Sequence, residues 1–204
     1  MNETPSVFVD SCWMQHGFQW KRSVTRNLVR WGDSDSTIPV ESYAPLEFDG
    51  DYFSSEAPLL HEVARLAEEG RIRLFTSELV LFEVFGGPGT SRPWVPGHVF
   101  ERVHLERLKS GFDYSIVFGR GRKLRDQLSD VFEVYPDEEL GALRTRFGRK
   151  NLMDTVHLLT ASRHKMDYFL CDRCFTKTYR SGKDTMKSWP LIPSELLLNL
   201  HEKA

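Results

Sequence analysis

Residues 154–175 read DTVHLLTASRHKMDYFLCDRCF, and the fold reading turns on this stretch. Leu152, Val156, Leu159 and Ala161 are the expected buried set of a helix over 151–165, with Asp154 in its first turn. The short apolar run Tyr168, Phe169, Leu170 then reads as a buried strand, and Asp172 follows it directly. A helix and a strand in this order deliver two carboxylates to one edge of a sheet.

Working outward, the same alternation recurs. Ser6, Val7, Phe8 and Val9 form an apolar run that ends at Asp10, which reads as a first buried strand. Leu59, Leu60, Val63, Leu66 and Ala67 recur at helical spacing over 57–70, and Gly70 ends that helix. Residues 71–75 read as a strand, and Thr76 or Ser77 caps a mostly apolar helix carrying Glu83. Residues 88–97 read as a Gly/Pro loop, 99–108 as a helix and 113–118 as a strand. A basic helix over 121–132, a helix from the acidic 136–139 start through Phe147, a strand over 189–192 and a final helix opened by Pro193 and Ser194 complete the series. Helices alternating with short strands predict an α/β class, a three-layer α/β/α arrangement around a mainly parallel central sheet. The exception is 14–56, rich in aromatics without a sustained period. There 21–31 reads as a basic helix and the acidic remainder as a long loop, so the whole segment reads as an insertion in a single domain spanning 1–204.

Composition narrows the class. Of the 204 residues 40% are hydrophobic and 27% charged, which is enough apolar matter for a core in a soluble chain. No run approaches the ~18 apolar residues of a membrane span, so no membrane association is expected. The opening MNETPSVFVD lacks the basic-then-apolar pattern of a secretory signal. Three cysteines are too few for a disulfide framework, and a reducing, cytoplasmic setting is expected. Net charge is −2, but its distribution is uneven. Acids dominate 33–69, whereas Arg120, Arg122, Lys123, Arg125, Arg144, Arg146, Arg149, Lys150, Arg173, Lys177 and Arg180 crowd the later half. A neutral total can hide a basic face, and solvated helix faces account equally well for such runs.

Placed on these elements, Asp10, Glu83, Asp154 and Asp172 come to one edge, because right-handed crossovers bring strand ends and the helices that start there together. Gathered carboxylates repel unless a divalent cation binds them, and Mg²⁺ or Mn²⁺ prefers such oxygen ligands. A cation held this way polarises a phosphodiester and lowers the pKa of its bound water. Ser-His-Asp order, a Gly-rich phosphate loop and HExxH spacing are all missing. Each acid taken singly has an ordinary explanation: Asp154 as a dipole-favoured acid, Asp10 and Asp172 as turn residues. Glu83 is more telling, since Val80, Phe82 and Val84 surround it and a buried Glu needs a partner.

In order and spacing, VFVDSC, TSELVLFEVFGG, MDTVHLLTASRHKMDYFLCDRCF and WPLIPSELL resemble the PIN-domain nucleases over roughly half the chain. The resemblance implies metal ligation and catalysis by Asp10, Glu83, Asp154 and Asp172, with Ser11 as a polar helper. It also implies an Mg²⁺- or Mn²⁺-dependent endoribonuclease, of toxin type in some members, acting on RNA that is single-stranded. An inhibitory protein partner and a homo-oligomer stay open. The chain departs from the family pattern at Cys12 and Cys171, where small polar residues are common, and in its extra length.

Candidate substrate contacts are Arg92 and Trp94 on the loop after Glu83, together with Arg120, Arg122, Lys123, Arg146, Arg149 and Lys150. His157 lies one turn after Asp154, where a histidine on a partly buried helix ordinarily serves packing. Cys171 and Cys174 have the spacing of half a zinc site, but only Cys12 remains to complete it. Cys12 and Cys171 near the acids also suggest a redox-sensitive or metal-poisoned site. Two other classes compete: a catalytically silent PIN-like module that binds RNA or acts as a scaffold, and a haloacid-dehalogenase-like phosphatase. The latter requires a second Asp where this chain has Cys12.

Overall fold

The structure is a computed structural model and describes residues 4–18, 20–31, 34–45, 51–85, 98–112, 124–181 and 188–202. Its centre is one sheet of parallel strands: β1 (Ser6–Val9), β4 (Arg73–Ser77), β5 (Leu105–Leu108), β6 (Tyr168–Leu170) and β7 (Trp189–Leu191). Between β1 and β4 come α1 (Ser11–His16), β2 (Trp20–Trp31), β3 (Ser34–Pro45), α2 (Asp51–Glu56), a 3₁₀ turn (Ala57–Leu59) and α3 (Leu60–Glu68). Helix α4 (Glu78–Phe85) follows β4. Helices α5 (Leu124–Glu133), α6 (Glu138–Phe147) and α7 (Leu152–Arg163) lead into β6, with a 3₁₀ turn (Arg149–Asn151) before α7. Helix α8 (Arg173–Arg180) joins β6 to β7, and α9 (Pro193–Glu202) closes the chain. Helices flank the sheet, so the α/β/α expectation holds.

Strand order is β5-β4-β1-β6-β7. The chain begins in the middle, moves outward through β4 to β5, and returns to the other side of β1 for β6 and β7. The order therefore reverses between β1 and β6, and the carboxyl ends of those two strands flank the crevice where such sheets bind ligands. The central strands are dry: Val7, Phe8, Val9, Phe169 and Leu170 are all 0% exposed. Phe8 and Phe169 lie 5.7 Å apart between ring centroids across the β1–β6 pair. Continuous apolar runs covered on both faces are what a parallel sheet demands.

Several hydrogen bonds fix the carboxyl ends. Thr76 Oγ1 donates to Val9 O at 3.2 Å, Asp10 N to Leu170 O at 3.1 Å and Cys171 N to Leu191 O at 3.0 Å. Trp13, fully buried on α1, donates from Nε1 to Cys171 O at 2.8 Å and so ties the first helix to the end of β6. At the opposite edge, Asp167 Oδ2 accepts from both the backbone N and the hydroxyl of Ser6, at 2.8 and 2.7 Å. His98 Nδ1 accepts from Phe100 N at 3.1 Å, so the ring proton is on Nε2, which donates to Met14 O at 2.9 Å. A Cβ at Gly17 would fall 2.5 Å from the His98 ring, so only glycine admits this approach.

Two expected helices are strands. Residues 21–31 lie in β2, which pairs antiparallel with β3 over a register that includes Thr25↔Val40 and Leu28↔Thr37. The β-branched Val24, Thr25 and Val29 suit a ladder, and the partner was hidden in the acidic segment that read as a loop. Pro39 is tolerated there because both strands of a two-stranded ribbon are edges. The second correction concerns 99–108, where a turn precedes β5. Leu105 pairs with Leu74 and Leu108 with Ser77, so tertiary pairing overrode a short run whose spacing also suited a helix. The helix expected over 57–70 is a 3₁₀ turn followed by α3, with Gly70 at φ 69° beyond its end. The strand expected over 113–118 and the loop over 88–97 lie outside the described residues. Among the described residues no helix is long and apolar enough to cross a membrane.

Phe169 is held between Phe8 and Phe175 in the middle of the sheet. Phe169→Ala should cost about 3–5 kcal/mol of unfolding free energy, read as a lower urea midpoint with an unchanged slope.

Candidate functional site

Each of the acids reaches the switch point from a different element. Asp10 follows β1 and takes the N-cap position of α1 (φ −77°, ψ 165°), yet its side chain makes no cap hydrogen bond to the helix amides. Helix α4 starts because Ser77 Oγ accepts from Val80 N at 3.2 Å, and its apolar sequence carries Glu83 inward. Asp154 lies in the first turn of α7, a helix buried almost all round, which explains its weak amphipathic pattern. Asp172 is the N-cap of α8, and its Oδ1 accepts from Phe175 N at 2.7 Å.

Two cations hold three of these acids together. Arg125 donates from Nη1 to Glu83 Oε1 at 2.6 Å and from Nη2 to Asp154 Oδ1 at 2.7 Å. Its guanidinium is half-exposed, whereas the Glu83 and Asp154 side chains are 2% and 9% exposed. From the other side His157 Nε2 lies 2.9 Å from Glu83 Oε2 and 3.9 Å from Asp10 Oδ1. Both Glu83 oxygens are thus engaged. Among the described residues, Asp10 Oδ1, Ser11 Oγ and His157 Nδ1 are buried with no hydrogen-bond partner.

The electrostatics follow from this layout. Burial pushes the Asp10 carboxyl up to about 7, opposed by His157 and reinforced by Asp154 and Glu83. Asp154 is also raised, by burial, against the pull of Arg125. Burial works the same way on Glu83, but the hydrogen bond and charge of His157, with Arg125 added, outweigh it and hold Glu83 down at about 2. Burial would lower His157, yet the bond to Glu83 and the nearby Asp10 raise it. A carboxyl near neutrality beside one far below it reflects unequal cationic partnership set against the same burial.

The sequence matches no protein-family model, no curated protein and no solved structure. Chemistry must therefore be read from this chain's own side chains.

The donor set suits a hard cation: carboxylates throughout, plus the Ser11 hydroxyl, with unpartnered oxygens on Asp10 and Ser11. Among the described residues, however, no three His, Cys, Asp or Glu side chains converge on one point as a finished cage. Arg125 is the reason on one side, since its guanidinium spans Glu83 and Asp154.

Of the expected substrate contacts, Arg92, Trp94, Arg120, Arg122 and Lys123 lie outside the described residues. Arg146 stacks over Phe147 at 4.8 Å. Arg149 is paired with Asp130 and Glu133, both at 2.7 Å. Lys150 and Arg149 line a cleft of about 530 Å³ together with Arg125, Asp126 and Ser129.

Cys171 is buried with Sγ 3.3 Å from Thr176 Oγ1, whereas Cys174 is exposed, so the two thiols lie in different surroundings. Burial, with the charges of Asp10, Asp172 and Asp154, pushes the Cys12 thiol up, and burial does the same to Cys171. Thiols held protonated are poor nucleophiles, which argues against a reactive thiolate at Cys12 or Cys171.

Arg125 and His157 are the residues that sequence reasoning underrated. A signal for Arg125 existed, since it shares the inward face of α5 with Leu128 and Phe132 at i, i+3 and i+7. His157 is 0% exposed and works as a hydrogen-bond partner to an acid, more than packing requires.

The shifts set a pH dependence when divalent cations are chelated. Asp10 binds its proton more tightly folded than unfolded, so stability falls as pH rises from 3.8 towards 7. The contribution of His157 is complete below its unfolded pKa of 6.5 and is lost as pH rises through its higher folded value. Glu83 works oppositely, and its contribution disappears as pH drops below 4.5 towards 2. Thermal melts in EDTA should therefore give a Tm that declines between pH 5 and pH 8, roughly the range these shifts span. Asp10→Asn should flatten that slope.

Proposed function

We propose that this chain is a metal-dependent hydrolase of phosphodiester bonds, an endoribonuclease of PIN-like design acting on single-stranded RNA. One observation carries the reading. Asp10, Glu83 and Asp154, from three separate elements, lie about Arg125 and His157 beside the switch point of a parallel sheet, and among the described residues Asp10 Oδ1 is buried there with no hydrogen-bond partner. Structural ion pairs rarely need so many carboxylates in one dry place.

In this reading Asp10, Asp154 and Asp172 supply the oxygens that hold Mg²⁺ or Mn²⁺, with Glu83 behind them. The ion, when bound, supplies Lewis-acid polarisation of the phosphate and a more acidic water. The chain's own residues do the rest. His157 donates to Glu83 and fixes the orientation of that carboxylate. Asp10, close to neutrality without a counter-cation, is poised to give up a proton when a cation arrives. Arg125 carries the positive charge that keeps Glu83 and Asp154 together in the cation's absence.

The second reading, a silent RNA-binding or scaffold module, is favoured by the same Arg125. Its guanidinium satisfies one oxygen of each acid with no metal at all.

Three measurements separate the two. Mn²⁺ should raise Tm by mass action on the folded state; a Tm indifferent to Mn²⁺ is the signature of a silent module. Asp10→Asn and Asp172→Asn should abolish Mn²⁺-dependent cleavage of a mixed RNA panel while the fold persists, and unchanged turnover in either would exclude the hydrolase mechanism. Arg125→Ala should cost about 1–3 kcal/mol in EDTA, a modest figure because the guanidinium is half-exposed. The Mn²⁺-induced rise in Tm should then be larger in that variant than in the parent chain.

A further inference from the structure

We infer that the cleft between α2 and α8 is a phosphate-binding subsite for a single-stranded nucleic acid that crosses the acid cluster at Asp172. The inference rests on the hydrolase reading above and assigns its substrate a second contact surface. The cleft has a volume of about 480 Å³ and is walled by Tyr52, Glu56, Arg173, Lys177, Arg180 and Glu195, among others. Its position is set by the acid itself. Asp172 caps α8, so Arg173 is the first residue of the helix and the cleft begins one residue from the candidate site.

Charge decides the class of ligand. Arg173, Lys177 and Arg180 stand at i, i+4 and i+7, one face of α8, while Phe175, Thr176 and Tyr179 are buried. Arg180 is neutralised by Glu195 through bonds of 2.7 and 2.8 Å. Glu56 accepts from the N–H and hydroxyl of Ser194, at 2.9 and 2.8 Å, bonds that hold the carboxylate without neutralising it. Against this one acid stand Arg173 and Lys177, both exposed and neither in an ion pair among the described residues, so the cleft keeps a net positive charge. The Arg173 guanidinium sits 5.9 Å over the Tyr52 ring. The Tyr52 hydroxyl is buried beside the Arg173 backbone with no partner at full hydrogen-bond geometry. Two exposed cations on one helix face, one of them held over an aromatic ring, are the elements of a groove that tracks a phosphate backbone. The cleft that holds Lys150 borders the same acids through Arg125. A ligand that reached both clefts would carry several anions, which describes a polymer backbone and not a lone anion.

The test is binding of a short fluorescent oligouridylate to the full chain in EDTA, where no cleavage interferes. The Arg173→Ala/Lys177→Ala variant should bind about tenfold more weakly, with a salt slope shallower by about 1.4 for the two lost contacts. Arg71→Ala, at the opposite edge of the sheet, should bind as the parent does. Equal affinity and slope in the double variant would overturn the inference, as would an absence of oligouridylate binding to the parent. Displacement by polyglutamate as effective as that by polyuridylate at equal charge would also overturn it, giving the cleft to acidic peptides. Binding that depends on Arg173 and Lys177 without Mn²⁺-dependent cleavage would sink the hydrolase reading and leave the cleft standing. Cleavage that persists at parental rate and KM in the double variant would sink the cleft alone.

Discussion

Like charges packed into a dry sheet edge repel, and the site described here is organised around limiting that repulsion. Asp10, Glu83 and Asp154 are each nearly inaccessible to water, so solvent cannot screen them. Arg125 and His157 answer with two cationic groups. The compensation is uneven. Glu83, bonded on both oxygens, stays ionised far into acid, and Asp10, bonded on neither side by a strong donor, keeps its proton towards neutrality. The acid with the weakest protein partnership is the one at the switch point itself.

The fold makes that arrangement hard to avoid. Because β1 pairs with both β4 and β6, its carboxyl end lies beside two other strand ends, and whatever follows those strands meets there. The Trp13–Cys171 and Thr76–Val9 hydrogen bonds fix those ends against one another. A site assembled from strand ends and helix first turns is held by the most rigid parts of the molecule. The long β2–β3 ribbon, by contrast, forms a separate two-stranded sheet among the described residues and exposes Leu28 and Ile38.

Residues far apart in the chain were legible as a group because each carried a local signature. Asp10 and Asp172 follow short apolar runs, Asp154 opens a helix, and Glu83 is anomalous in apolar company. What had no local signature was partnership. Arg125 is one basic residue among many, and only the packing of α5 against α7 shows that it faces Glu83 and Asp154. His157 looked like a packing residue for the same reason. The misread segments had a related cause. Residues 21–31 and 99–108 are short or weakly periodic, and each became a strand because a neighbour supplied a ladder that no local pattern announces.

By itself the sequence determined the α/β class, the order of the main elements and the acids that end or begin them. Hydrophobic period, caps and strand-end acids are properties of contiguous residues, and contiguous residues can be read. Tertiary structure alone decided which cations meet those acids, which basic residues are spent on internal ion pairs, and which remain free to meet a ligand. Arg149 and Arg180 are engaged by carboxylates from other elements, while among the described residues Arg173 and Lys177 are not. Burial and distance set that outcome, and both depend on how separate elements pack.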